Sequence, residues 1–468
     1  MTSGDPTTAP SISSAEQMPV AGAERKRIDG FDLARAYAIF GMFVVNFNVV
    51  FGSLADATLL GKCLNLFNGN SSSAFVILAG MGVALMTGRK EYTLEEKRKL
   101  KSVVVRRSWF LFAAGLLLYV WWPADILHFY GGYLHIAALL LFVPKRFYLW
   151  AAAGGVVIFH ALLLVIPYER GWNFETLEYS GFWTPGGFLR NTFYNGWNPI
   201  FPWMSFFLLG MWLGRLDWQC RQTRRNILAV GAGVFLLVEA LQFAAERGVF
   251  GAEAAFYLTA DYLPPFLPFM AGTTGFTLML LPLCIAAGER FAGRGWLRAL
   301  VRTGQMTLTH YVAHLTIGLI LLAVITGRTE TLSLNAAAPL PPWCVLLYSV
   351  LYFLGSVLFS ELWRRRFRNG PLELLMRKLS DGSQNKGMNS TNTRTALLLL
   401  LTALCCPLCA AQTSVAWPDG RMASTSDGNV QDPDYISGTL VVSAFRMRSF
   451  VIQETKLKRF RTKVGFRQ

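Results

Sequence analysis

Long apolar runs recur along this chain, each of about 17–22 residues and separated by short polar segments, a length that lets a helix cross a hydrocarbon core of about 30 Å. The pattern predicts ten spans, at roughly 31–52, 71–88, 103–122, 126–143, 148–167, 199–214, 226–245, 266–287, 305–326 and 343–363. The expected fold class is an all-α polytopic membrane protein, a bundle of about ten transmembrane helices.

Composition agrees with that pattern. Hydrophobic residues make up 53% of the 468-residue chain and charged residues only 15%, against about 25% charged in an ordinary soluble domain. The formal charge of +16 is spread in short clusters between apolar runs, which points away from nucleic acid and towards loops at a membrane surface. Those clusters set an orientation. Lys and Arg gather at 25–27, 89–107, 145–146, 215–225, 290–302 and 364–378, while the alternate loops hold only Lys62, Arg170, Arg190, Arg247 and Arg328. Basic residues mark the cytoplasmic side, so both ends of the bundle are expected there. A missing span would break the alternation, so the charges test the count separately from hydropathy.

Three regions follow. Residues 1–27 are small and polar, without the apolar core of a signal peptide, and read as a disordered cytoplasmic leader. Residues 28–380 form the transmembrane domain. Residues 381–468 are anomalous: from Met388 a polar start with one Arg leads into an apolar stretch and then to Ala410 and Ala411, the layout of a secretory signal peptide. Read as an eleventh span, it would place the basic end KLKRFRTKVGFRQ outside, so a fused or frameshifted segment is expected. The seven cysteines have no paired spacing, and no metal or redox motif is predicted.

Polar residues inside the apolar runs carry the candidate chemistry. In RIDGFDLARAYAIFGMFVVNF, Asp32 and Arg35 share a helix face and can pair, and Asn46 lies about three turns deeper. The pair reads either as an anchor at the cytoplasmic end or as a cation aimed at an anionic donor, with Asp32 orienting Arg35. Asn46 reads as a bridge to another helix. Asp125 precedes His128 by three residues, at the outer end of the fourth predicted span. It can fix the imidazole tautomer and make His128 a general base; the alternative is an interfacial pair that caps the helix. His135 falls on roughly the same face. Gln305, Thr309, His310 and His314 form a second polar stripe. His310 and His314 have the i, i+4 spacing of metal ligands, but no third ligand lies nearby in sequence and no metal is expected. His160 stands alone and reads as structural.

The outer loop at about 168–198 is long and rich in aromatics and Gly, without a clear secondary-structure pattern. Such loops often bind ligands or act as lids, although Trp and Tyr also gather at membrane interfaces. Trp197, Asn198 and Trp203 are its acceptor-binding candidates.

The opening stretch resembles the YeiB-like bacterial membrane proteins, a family of unknown function. DILHFYG at 125–131, PWMSFFLLGMWLGR at 202–215, TGQMTLTHYVAHL at 303–315 and RRRFRNGPLELLMRKL at 364–379 are similar to the same family. The matches extend over about residues 25–380, and the last is the most distinctive. The first span resembles, more distantly, two groups of transmembrane acyltransferases. One includes the heparan-α-glucosaminide N-acetyltransferases; the other acylates bacterial surface glycans. In the second group a His follows the Arg by eleven residues, where this chain has Asn46 after Arg35. The first group uses a His between the first two spans, where GKCLNLFNGNSSSAF has none. An amide cannot serve as a base near neutral pH, so the base must come from elsewhere, and His128 is the candidate.

The resemblance implies a multi-pass protein of the bacterial inner membrane. It also implies an acyltransferase that moves an acyl group from cytoplasmic acyl-CoA to an external glycan, lipid or small-molecule acceptor. No bound cofactor is expected, the acyl-CoA being a donor substrate. Two other readings stand beside it: a proton-coupled transporter or exporter of a small metabolite, since buried His and Asp often relay protons, and an assembly factor whose polar residues only join helices. Against transport, the chain shows no internal repeat and no broken helix pair in matching halves.

Overall fold

The computed structural model describes residues 27–54, 56–88, 91–174, 177–327 and 339–381. The expected leader, apart from Arg27, and the expected signal-like tail, apart from Asp381, lie outside the described residues. Helices dominate, as the apolar runs predict. They are α1 (Asp29–Phe51), α2 (Leu59–Asn65), α3 (Asn70–Met86), α4 (Leu94–Tyr119), α5 (Leu127–Leu140), α6 (Lys145–Val165), α7 (Pro185–Arg190), α8 (Ile200–Leu213), α9 (Arg221–Glu246) and α10 (Ala252–Tyr257), followed by α11 (Leu267–Arg290), α12 (Gly295–Gly304), α13 (Thr307–Ala313), α14 (Leu319–Thr326), α15 (Pro342–Arg364) and α16 (Pro371–Asp381). A two-residue hairpin, β1 (Trp172–Asn173) and β2 (Glu178–Tyr179), interrupts them.

Among the described residues eight helical segments are long and apolar enough to cross a membrane, counting α2 with α3 and α13 with α14. The predicted spans 126–143 and 199–214 correspond instead to α5 and α8, of 14 residues each. A helix of that length rises about 21 Å, short of a full hydrocarbon core. Their boundaries have local causes. Trp121 to Ile126 forms a turn that includes Pro123, and α8 begins after Pro199.

The short helices are among the inner ones. Most of α8 is buried between α3 and α6, and α5 pairs with α4. The first helix, α1, runs through the middle and touches α3, α11, α12, α13 and α15. By contrast α6 buries only Tyr148, Gly155 and Phe159, and α9 only Ile227, Gly231 and Val238, so the remaining apolar surface of both suits lipid. Inside a bilayer, packing rather than water exclusion joins helices, and small residues permit close approach. Gly304 lies against the Asp32 carbonyl, where a Cβ has no room, and Gly115 lies against the His128 amide in the same way.

Two helix starts facing the basic loops are well capped. Thr93 and Glu96 form a reciprocal capping box at the start of α4. The start of α13 borrows its cap from α16: Glu373 accepts from the amides of Leu308 (2.8 Å) and Thr309 (3.2 Å) and from the Thr309 hydroxyl (2.6 Å). This contact explains the distinctive Gly-Pro-Leu-Glu stretch. Burial raises the Glu373 pKa above the ordinary carboxylate value, and its bonds to Thr309 and Leu308 offset that in part.

Candidate functional site

Two polar centres form around the first helix, one at its start and one deep in the bundle. At the start, Asp32 is almost fully buried. Arg35 donates to its Oδ1 at 2.6 Å, while Arg27 (2.7 Å) and Gln305 (3.1 Å) donate to Oδ2. The carboxylate thereby orients two guanidinium groups, and the second comes from outside the apolar run. Arg35 remains 23% exposed and Arg27 62%, so both keep N–H groups for an anion. Arg302 lies on α12, which also abuts α1, and pairs with Glu361 at 2.6 Å.

The deeper centre joins residues from three distant parts of the sequence. Asn46 Nδ2 lies 2.9 Å from His314 Nε2, and His314 Nδ1 faces the His310 carbonyl at 3.3 Å. A carbonyl only accepts, so Nδ1 carries the proton and Nε2 accepts from the Asn46 amide. The expected bridge from Asn46 to another helix is present in this geometry. His314 also begins a π-helical turn, His314–Gly318, a distortion that often accompanies functional sites. Its ring packs against Phe43 (4.9 Å) and Tyr311 (5.3 Å).

Tyr311 leads to the second histidine. Its hydroxyl donates to Asp125 Oδ1 at 3.2 Å and accepts from the Ile126 amide at 3.1 Å. The other Asp125 oxygen accepts from the His128 amide (3.1 Å) and from His128 Nδ1 (3.2 Å). Carboxylate oxygens can only accept, so Nδ1 is protonated and Nε2 is the basic nitrogen. That Nε2 is buried and has no hydrogen-bond partner among the described residues.

Hydropathy places His128 at the outer end of a span, facing an external substrate. In the fold Asp125 meets Tyr311, between His310 and His314, and the Asp125–His128 pair is closed off from solvent. His128 is fully enclosed, with the rings of Phe129, Tyr119 and Phe182 at 3.8, 5.6 and 5.9 Å. Phe182 comes from the outer loop and stacks on Tyr119 at 3.6 Å.

That loop has more regular structure than its sequence suggests. It holds the hairpin, α7 and a π-helical turn, Asn191–Asn195. Asn195 organises it, donating to the carbonyls of Tyr168 (2.6 Å) and Arg170 (2.9 Å) and accepting from the Tyr179 hydroxyl (2.9 Å). Trp197, Asn198 and Trp203 converge on Tyr262, a residue the sequence reading passes over. Asn198 Nδ2 donates to the Tyr262 hydroxyl at 2.7 Å, Tyr133 donates to the Asn198 carbonyl at 2.6 Å, and the Trp203 and Trp197 rings lie 5.2 and 6.3 Å from Tyr262. Burial pushes the Tyr262 hydroxyl up to about 12.

The second polar stripe does not act as one cluster. Gln305 turns to Asp32, Thr309 to Glu373, His310 to Ser360 (2.8 Å) and His314 to Asn46. Helical spacing puts these residues on nearby faces, but each face meets a different neighbour. Among the described residues no three His, Cys, Asp or Glu side chains gather as a metal centre requires. His135 contacts Ser108 and the Gly131 carbonyl, away from His128 Nε2. His160 contacts the Val156 carbonyl of its own helix at 2.9 Å.

Two family models match this chain. The one described as heparan-alpha-glucosaminide N-acetyltransferase, catalytic, matches residues 27–248. The one described as a protein of unknown function (DUF418) matches residues 211–383. The chain is thus similar to an acetyltransferase catalytic region over its first part and to the YeiB-like family over its second, as its motifs indicate. No curated protein and no solved structure matches it. Arg35, Asn46, Asp125 and His128 fall inside the first match, and Tyr311, His314 and Glu373 inside the second. The deeper centre is therefore assembled from both.

Proposed function

We propose that this protein is a multi-pass transmembrane acyltransferase that moves an acyl group from a cytoplasmic acyl-CoA to an acceptor on the other side. In this reading residues 28–380 span the membrane ten times, α5 and α8 included, with both ends in the cytoplasm of a bacterial inner membrane. The Lys and Arg asymmetry supports that orientation. The observation that carries the reading is the buried Tyr311–Asp125–His128 chain, which leaves His128 Nε2 unpartnered beside a region similar to an acetyltransferase.

Each group then has a role. Arg35 and Arg27, held by Asp32, receive the phosphates of the donor at the cytoplasmic mouth. The acceptor, a glycan, lipid or small metabolite, comes through the outer loop near Trp197, Asn198 and Trp203 and displaces Phe182 from above His128. His128 Nε2 takes a proton from the acceptor hydroxyl or amine. The freed oxygen or nitrogen bonds to the thioester carbonyl carbon, the carbon–sulfur bond breaks, and the departing CoA sulfur takes the proton from His128. Asp125 keeps Nδ1 protonated and the ring aligned throughout. General base catalysis of this kind contributes roughly 10²–10⁴-fold.

The test uses the full chain in lipid vesicles, with acetyl-CoA as donor and glucosamine as acceptor. Calorimetry should show acetyl-CoA binding that Arg35→Ala weakens in a still-folded protein. CoA release should depend on glucosamine and fall at least about 100-fold in His128→Ala. Absence of acetyl-CoA binding to the native protein overturns the acetyl-CoA form of the proposal, and uptake of solute without covalent change moves the assignment to transport.

A further inference from the structure

An apolar groove of about 440 Å³ opens sideways between α4, α13 and α16, apart from the deeper polar centre. Ala113 and Leu117 of α4 form one wall, and Leu308, Val312 and Leu372 the other. Arg106 stands at one end, exposed. It donates to the Ser380 carbonyl at 3.4 Å and pairs with no carboxylate among the described residues. A guanidinium has five N–H donors in a planar fork suited to phosphate, so most of its capacity is unused.

The dimensions select an occupant. From Arg106 to Leu117 the helix rises about 16 Å. That is close to half of a hydrocarbon core of about 30 Å, the depth of a single leaflet. The cation stands on the side where basic loops gather. Leu117 is 60% exposed, so the groove is open laterally, as a slot filled from the bilayer must be.

We infer that this groove binds one acyl chain of an anionic phospholipid from the Arg-rich leaflet, with the headgroup phosphate on Arg106. Charge complementarity distinguishes this site from general lipid contact. Leu308 and Val312 flank Tyr311 in sequence, so the lipid seats on the helix that positions Asp125. The inference depends on residence in a membrane and not on the acyltransfer reading.

The test is native mass spectrometry of the full chain released from detergent, with dioleoyl phosphatidylglycerol or dioleoyl phosphatidylcholine added at equal concentration. The native protein should retain the anionic lipid in preference to the zwitterionic one. Arg106→Gln should reduce that preference about five-fold, the factor expected for one basic residue at an anionic membrane. Ala113→Trp fills the groove and should reduce retention of both lipids, which keeps the test decisive if Arg106→Gln does not fold. Equal retention of the two lipids by the native chain overturns the inference. So does an undiminished preference in folded Arg106→Gln, or undiminished retention in Ala113→Trp.

Discussion

Tyr311 donates its hydroxyl to Asp125 across 186 positions of sequence, at 3.2 Å, and so ties the second half of the chain to the His128 pair. The same hydroxyl accepts from the Ile126 amide, which makes it the pin that holds the α4–α5 turn against α13. Tyr311→Phe keeps the ring and removes the pin. Two buried polar groups then lose a partner, at about 1–3 kcal/mol. We expect a lower melting temperature in detergent, together with loss of acceptor-dependent CoA release beyond what the stability change explains. Unchanged stability would mean that Asp125 is held by other groups.

Asp32 and its two arginines differ in what they contribute. Asp32→Asn leaves two guanidinium groups facing a buried neutral amide; because both reach solvent, the loss should fall below that of a fully buried pair, at about 1–3 kcal/mol. Arg27 is mostly exposed, so Arg27→Ala should cost under about 1 kcal/mol. Comparing the two by thermal unfolding in one detergent separates the oriented carboxylate from its outer partner. Similar losses would show that the charge of Arg27, and not the burial of Asp32, dominates.

The Asn46–His314 bond invites a double-mutant cycle with Asn46→Leu and His314→Leu. Cross-helix polar pairs in membranes couple by roughly 0.6–1.7 kcal/mol. A coupling in that range is expected; strict additivity would mean that each side chain finds another partner when the first is removed.

Phe182 covers His128. Phe182→Ala should make that imidazole accessible, so its modification by diethyl pyrocarbonate, followed by peptide mass mapping, should quicken several-fold with the fold intact. Modification at the native rate would remove the covering role.

Glu373 gives a pH dependence of known sign. Burial raises its folded pKa above the ordinary value of 4.5, so the folded protein keeps a proton that the unfolded chain has lost. Its contribution to stability is complete below the ordinary value and is lost as pH rises through the folded one. Glu373→Gln retains an acceptor for the α13 amides and removes the titration. Relative to Glu373→Gln, the native chain should therefore gain melting temperature on moving from pH 7 towards pH 4.5. A difference that does not vary with pH would show that Glu373 does not titrate in this range.

Much of the architecture follows from the chain alone. Apolar run length locates the long helices, because a backbone in hydrocarbon must satisfy its own hydrogen bonds. Helical periodicity pairs Asp32 with Arg35 and Asp125 with His128, because residues three apart share a face. Only the tertiary structure decides which distant faces meet. Periodicity gives direction on one helix but not the neighbour it meets, so Gln305, Thr309, His310 and His314 look like a stripe and divide among Asp32, Glu373, Ser360 and Asn46. It also cannot give enclosure: Phe129, Tyr119 and Phe182, the last from the outer loop, close over His128. Tyr311 was hidden for the same reason. One tyrosine among many carries no local signal, and its role exists only where the bundle places its hydroxyl against a carboxylate from the other half of the chain.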